Sequence, residues 1–175
     1  MPVLYTDRLM MRPYQEADFD QMAELHGNAD VMAHMRDGAV GYNEARRYFD
    51  SYLQCWDQSG ISIWALIGKK DDAYMGECGF WVRPDFPGYS LRYILAEKYW
   101  GHGYAGEAAS RALQWGFDTQ EISQVTAVSQ AANSGSIRIL QQLCMNLEDS
   151  AHKGLTDFHR YAVSREEWNR KRATP

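Results

Sequence analysis

The stretch W-G-H-G-Y-A-G-E-A, residues 100–108, contains G-x-G-x-x-G from Gly101 to Gly106. Glycines at that spacing let a backbone approach an anion closely. The residues that follow read as the first turn of a helix, whose unpaired amides carry partial positive charge. The stretch is thus a cradle for the pyrophosphate of a dinucleotide or of an acyl-CoA, or else a plain tight turn.

The surrounding chain narrows these readings. A dinucleotide site needs the motif in a leading βαβ unit, with an acidic residue about 20 positions on to bind ribose. Here the motif lies beyond residue 100, behind three strand-like runs joined by short connections: residues 61–68 (I-S-I-W-A-L-I-G), 74–82 (Y-M-G-E-C-G-F-W-V) and 89–95 (Y-S-L-R-Y-I-L). Short connections imply antiparallel neighbours. The strand after the motif's helix, Q-V-T-A-V-S, carries Thr126, Val128 and Ser129 but no carboxylate. No G-K-[ST] closes the loop, which argues against a nucleotide hydrolase.

Outward from there, T-D-R-L-M-M-R-P-Y at residues 6–14 alternates as one strand. Apolar residues between 16 and 26 recur at helical spacing, and N-E-A-R-R-Y-F-D-S-Y-L-Q-C-W reads as a second helix capped by Asn43. Helices are also expected over residues 103–119 and 134–143, and a last strand near F-H-R-Y-A-V-S. The order β-αα-βββ-α-β-α-β describes an α/β chain, a mixed sheet with helices on both sides. At 175 residues, 45% of them hydrophobic, it is expected to form a single domain spanning residues 1–175.

The formal net charge is −5 and the basic residues are scattered, so a nucleic-acid partner is not expected. The run from Arg165 to Arg172 is broken by Glu166 and Glu167 and reads as a solvated helix end. No apolar run is long enough to span a bilayer and no signal peptide opens the chain, so a cytoplasmic protein without a membrane partner is expected. Cys55, Cys78 and Cys144 are odd in number and widely spaced, which indicates neither a disulfide framework nor a metal site.

Three blocks carry a resemblance. Y-W-G-H-G-Y-A-G-E-A (residues 99–108), T-D-R-L-M-M-R-P-Y-Q-E-A-D-F-D (6–20) and N-S-G-S-I-R-I-L-Q-Q-L-C-M (133–145) are together similar to the GNAT N-acetyltransferases, and within them to the RimJ/RimL-like group of ribosomal-protein N-terminal acetyltransferases. The tail Y-A-V-S-R-E-E-W resembles that group's ending. The resemblance implies the GNAT acyl-CoA N-acyltransferase fold and direct acetyl transfer in a ternary complex, by a monomer or homodimer. It implies acetyl-CoA contacts from Leu95, Trp100, Gly101, His102, Gly103, Tyr104, Ala105, Gly106, Asn133 and Ser136. Glu77 is the implied general base, with a solvated strand face as the alternative. Ser136 is the implied proton donor to the thiolate, and a backbone amide at Tyr93 or Ile94 the oxyanion donor.

Asn133 also suits a helix cap, and Glu97 and Glu107 read as structural. His102 either lends charge to a phosphate or faces solvent. Trp56, Trp64, Trp81 and Trp100 either wall an acceptor site or fill the core. Where the group commonly reads E-I-G-Y, this chain has Ser90-Leu91-Arg92-Tyr93. That change suggests an altered acceptor pocket, with Arg92 either pairing an acidic acceptor or pointing to solvent. Cys144 replaces the group's usual glycine, and a modified helix exit is expected there. The leading acceptor is a protein or peptide N-terminal amine. The alternatives are a small amine and a non-catalytic acyl-CoA sensor.

Overall fold

The computed structural model describes residues 1–83, 86–150 and 157–173, the side chains of 83, 86 and 87 excepted. Its centre is a strand of six residues, β3 (Ile63–Gly68), buried along its whole length. Such a strand must be covered on both faces. Ile63, Ala65 and Ile67 pack with Phe19, Phe49 and Tyr52, from α1 (Phe19–Gly27) and α3 (Tyr42–Ser59). Trp64 and Leu66 face the opposite way, toward Ala108, Ala109, Ala112 and Leu113 of α4 (Tyr104–Thr119). The period of two along β3 thus assigns each helix its side.

Eight strands form one mixed sheet in the order β1-β2-β3-β4-β5-β6-β8-β7. The expected first strand is two, β1 (Leu4–Tyr5) and β2 (Leu9–Pro13), because Thr6 turns the chain: its amide donates to the Leu9 carbonyl at 3.0 Å and its hydroxyl accepts from the Leu9 amide at 2.9 Å. β4 (Tyr74–Arg83) and β5 (Phe86–Leu95) continue the antiparallel set. The remaining elements are β6 (Gln124–Gln130), α5 (Ser134–Gln142), β8 (Phe158–Ser164) and α6 (Arg165–Arg172).

Besides a 3₁₀ turn at Glu97–Tyr99, two elements have no counterpart in the sequence reading. α2 (Ala29–Met32) is a single turn capped by the Asn28 side chain, and β7 (Asn146–Asp149) is exposed at every residue. Neither buries an apolar face with a period to detect. The start of α3 also differs: Gly41 is its N-cap and no side chain caps it, so Asn43 lies inside the helix.

One junction is parallel, and it is short. β5 and β6 pair only at Tyr89 with Val125 and Ser90 with Thr126. Beyond those residues β5 stays on β4 as far as Leu95, while β6 stays on β8. The sheet therefore opens in a wedge at its middle. No helix among the described residues is long and apolar enough to cross a membrane.

Candidate active site

The wedge is where the chemistry-bearing residues meet. Successive side chains of β5 alternate between the faces of the sheet, so Tyr93 and Arg92 point to opposite sides of the opening. The Tyr93 hydroxyl lies 2.8 Å from Ser136 Oγ. Ser136 sits in the first turn of α5, and its amide donates to Asn133 Oδ1 at 3.0 Å, so Asn133 is a helix cap. Burial pushes the Tyr93 phenol above its ordinary range, an effect partly offset by the hydrogen bond to Ser136.

A cavity of about 180 Å³ occupies this opening, with Tyr93, Ser136 and Asn133 toward one side and Arg92, Trp81 and Tyr48 toward the other. His34 Nδ1 donates to Gln130 Oε1 at 2.6 Å, tying the segment after α2 to the end of β6 beside the cavity. Of the four tryptophans named from sequence, only Trp81 lines it. Trp56 and Trp64 are core residues in edge contact at 4.8 Å, and Trp100 is half exposed beside the glycine loop.

Glu77 is neither solvated nor in the cavity wall. It has no exposure, and its carboxylate accepts from Tyr14 Oη at 2.8 Å, Tyr52 Oη at 3.2 Å and His26 Nε2 at 3.1 Å. A carboxylate can only accept, which assigns the proton to Nε2 of His26. Tyr74 extends the network through its hydroxyl, 2.8 Å from that of Tyr14. Arg92 Nε lies 3.3 Å away as an ion pair. Burial alone would raise the Glu77 pKa, but His26, Arg92 and Tyr14 outweigh it and hold the group at about 2. The solvated strand face weighed from sequence differs from this sealed position.

The glycine loop lies at the start of α4. Gly101 and Gly103 have φ of 75° and 81°, values that L side chains rarely adopt. A Cβ on Gly101 or Gly106 would meet no protein atom within 4 Å, so open space adjoins the helix's first amides. That combination fits a pyrophosphate. The Trp100 indole donates to the Leu95 carbonyl at 2.7 Å, anchoring the loop to the end of β5, while the Leu95 side chain is in the core. His102, Tyr104 and Ala105 follow along the loop, and the His102 side chain is exposed.

Arg8 was not singled out from sequence, yet it braces this loop. Its guanidinium lies 4.3 Å over the Tyr104 ring, donates to the His102 carbonyl at 2.9 Å and pairs with Glu107 at 2.6 Å. Glu107 also accepts from the Thr6 hydroxyl and the Arg8 amide. Burial raises its pKa, and these donors, which outweigh it, lower the carboxyl below its usual value. Glu107 is thus structural, as the helix-start reading expected, through a tie to the β1–β2 turn.

Comparison with known proteins agrees with this architecture. Residues 8–146 match the family described as acetyltransferase (GNAT) domain. The chain is 24% identical to the uncharacterized N-acetyltransferase p20 of Bacillus licheniformis, covering 96% of this chain and 99% of that one. An acetyltransferase structure from Agrobacterium tumefaciens is similar with a TM-score of 0.85, at 23% identity and over 93% and 94% of the two chains. Two structures solved with CoA share the fold. RimL, a ribosomal L7/L12 α-N-protein acetyltransferase, has a TM-score of 0.78 at 14% identity over 93% and 98%. The spermidine N-acetyltransferase of Vibrio cholerae has 0.79 at 13% over 94% and 99%.

Proposed function

The chain belongs to the GNAT acetyltransferase family, and on that premise we propose that it acts as one domain that transfers an acetyl group from acetyl-CoA directly to a small primary amine seated in the wedge between β5 and β6. The observation that carries this reading is the cavity. Its volume of about 180 Å³ lies below the roughly 300–1,000 Å³ usual for ligand pockets, and the thioester end of acetyl-CoA would share it. A small amine suits that space better than a folded protein's N-terminal segment. RimL and the spermidine enzyme, with one fold and two acceptor classes in their names, give no ground for choosing between them.

Each group then has a role. The amides at Gly101 to Gly106 hold the pyrophosphate, and Arg8 with Glu107 keeps that loop in shape. The pantetheine arm enters the wedge beside Asn133 and the unpaired edge of β5, where an amide at Tyr93 or Ile94 receives the oxyanion. Acetyl-CoA supplies an activated acyl carbon. The amine nitrogen bonds to that carbon, the carbon–sulfur bond breaks, the nitrogen gives up its proton to water, and the thiolate takes one from the Tyr93–Ser136 hydroxyl pair. Water restores the pair, leaving an amide and free CoA.

Glu77 is given a different role from the one expected. A sealed carboxylate with four partners and a pKa of about 2 has little affinity for the proton of an amine. We assign it instead to positioning Arg92, Tyr52 and His26, so that the neutral amine comes from solvent.

The test is release of CoA thiol from acetyl-CoA by the purified protein, run against pooled small amines and pooled N-terminal peptides. Release with the small amines is expected. Release with peptides alone would return the acceptor to a protein N-terminus. Acetyl-CoA binding with no release from either pool would favour a sensor.

A further inference from the structure

Arg92 stands where the resemblance leads one to expect glycine, and its surroundings are unusual for a guanidinium. The side chain is only 11% exposed. None of its five N–H donors has a hydrogen-bond acceptor among the described residues: Nε is buried without one, and its ion pair to Glu77 is 3.3 Å long. Trp81 covers it with the guanidinium carbon 4.1 Å from the ring centroid, and Tyr48 flanks it at 5.8 Å. Only Nε is fully withdrawn from water, and it faces Glu77; the Nη groups lack an acceptor among the described residues and belong to a side chain that lines the cavity, where a ligand can supply one.

Resting on the small-amine reading above, we infer that the acceptor carries a carboxylate close to its amine, and that Arg92 binds that carboxylate. The guanidinium is held from behind by Glu77 and on one face by Trp81, which leaves its outer edge toward the cavity that it lines. A planar fork held in one orientation is the donor set that a carboxylate meets with two parallel hydrogen bonds. Glu77 does not cancel the attraction, since its charge is shared among Tyr14, Tyr52, His26 and Arg92. The Asp37 carboxylate also lines the cavity, where the Tyr48 hydroxyl donates to it at 3.2 Å and Arg36 lies beside it in the lining. Arg92 and the Tyr93–Ser136 pair line the same small cavity from its two sides, so an acceptor anchored at Arg92 reaches across it with its amine toward the hydroxyl pair that serves the thiolate. A free α-amino acid has this layout, whereas a polyamine lacks the anion and a long peptide carries its carboxylate too far away.

The experiment compares CoA release with a pool of L-α-amino acids and with a pool of the matching α-carboxamides, for the wild type and for Arg92→Gln and Arg92→Lys. The acids are expected to exceed the amides in kcat/KM by about tenfold or more, the scale of one charge-assisted bidentate contact. Arg92→Gln is expected to erase that ratio through KM, and Arg92→Lys to restore part of it. Amides or polyamines used by the wild type as well as acids would overturn the inference and leave the small-amine reading standing. A preference for acids that survives in Arg92→Gln would remove Arg92 from the role. No release with any small amine, while acetyl-CoA still binds, would overturn both. The wild-type comparison needs no variant, so an unfolded Arg92→Gln protein does not suspend the test.

Discussion

Cys144 adopts a φ of 65°, a left-handed conformation that glycine accepts and other residues resist. The reason is the end of α5: the Met145 amide donates to the Leu140 carbonyl and the Cys144 amide to that of Gln141, each at 3.0 Å, which is the Schellman closure. The altered exit expected from the cysteine does not occur, because Leu140 and Met145 are both buried and hold the turn shut. Cys144→Gly is expected to raise stability by about 1 kcal/mol, measured by denaturant unfolding, with acetyl transfer unchanged. Glu77 is the opposite case, a residue visible in sequence whose meaning was not. Its partners Tyr14, His26 and Tyr52 lie 63, 51 and 25 positions away, so no local spacing reveals the network. Glu77→Gln leaves Arg92 without its buried counter-charge and should cost about 3–5 kcal/mol, read from urea midpoints. Since the folded carboxyl is held at about 2, below the usual 4.5, the stabilisation is complete above the higher value and lost as pH falls toward the lower. Melting temperature against pH should show that decline in the wild type and less of it in Glu77→Gln.

The junction of the glycine loop with α4 was the most legible element. Glycine spacing, a carboxylate in the first turn and a stripe of alanines are all local, and the helix starts at Tyr104 with Gly103 as its cap. The brace on it was not legible, because Arg8 and Glu107 are 99 positions apart. Gly103→Val would force a β-branched residue into a φ of 81° beside the Arg8 guanidinium, whose Nη2 lies 3.5 Å from the added Cβ. Acetyl-CoA binding by calorimetry should be lost while far-ultraviolet circular dichroism stays near native. Glu107→Ala should act more mildly, since Arg8 is 45% exposed and such pairs contribute little by themselves. A rise of about three- to tenfold in KM for acetyl-CoA, with kcat nearly unchanged, is the expected result for a loss of up to about 1.4 kcal/mol. An unchanged KM would mean that the loop keeps its shape without the tie. β7, exposed at all four residues, was missed because pairing with β8 rather than burial makes it a strand.

Across the whole molecule, two helical layers enclose a sheet that separates at one parallel junction, and the cavity lined by Arg92 and Tyr93 is a product of that separation. On the proposal that Glu77 positions its neighbours and is not the base, the pH dependence of catalysis belongs to the acceptor. The kcat/KM profile should rise with a midpoint near the acceptor's own amine pKa, about 8 for a peptide-like α-amine, higher for a free α-amino acid whose carboxylate favours the ammonium, and above 10 for a lysine-like amine. Thiol release measured from pH 6 to 10 with two such acceptors checks this, and one shared midpoint would reinstate a base on the protein. The sequence by itself determined the order of the main strands and helices, the glycine-rich start of α4 and the membership in a family, because periodicity, glycine spacing and helix caps act over a few residues. Only the tertiary structure decided that Glu77 is a buried node, that Arg8 braces the loop, and that Arg92 faces a small cavity with its donors unmet. Those facts depend on which distant residues the sheet and helices bring together, and burial and pairing of charge are properties of that assembly rather than of any segment.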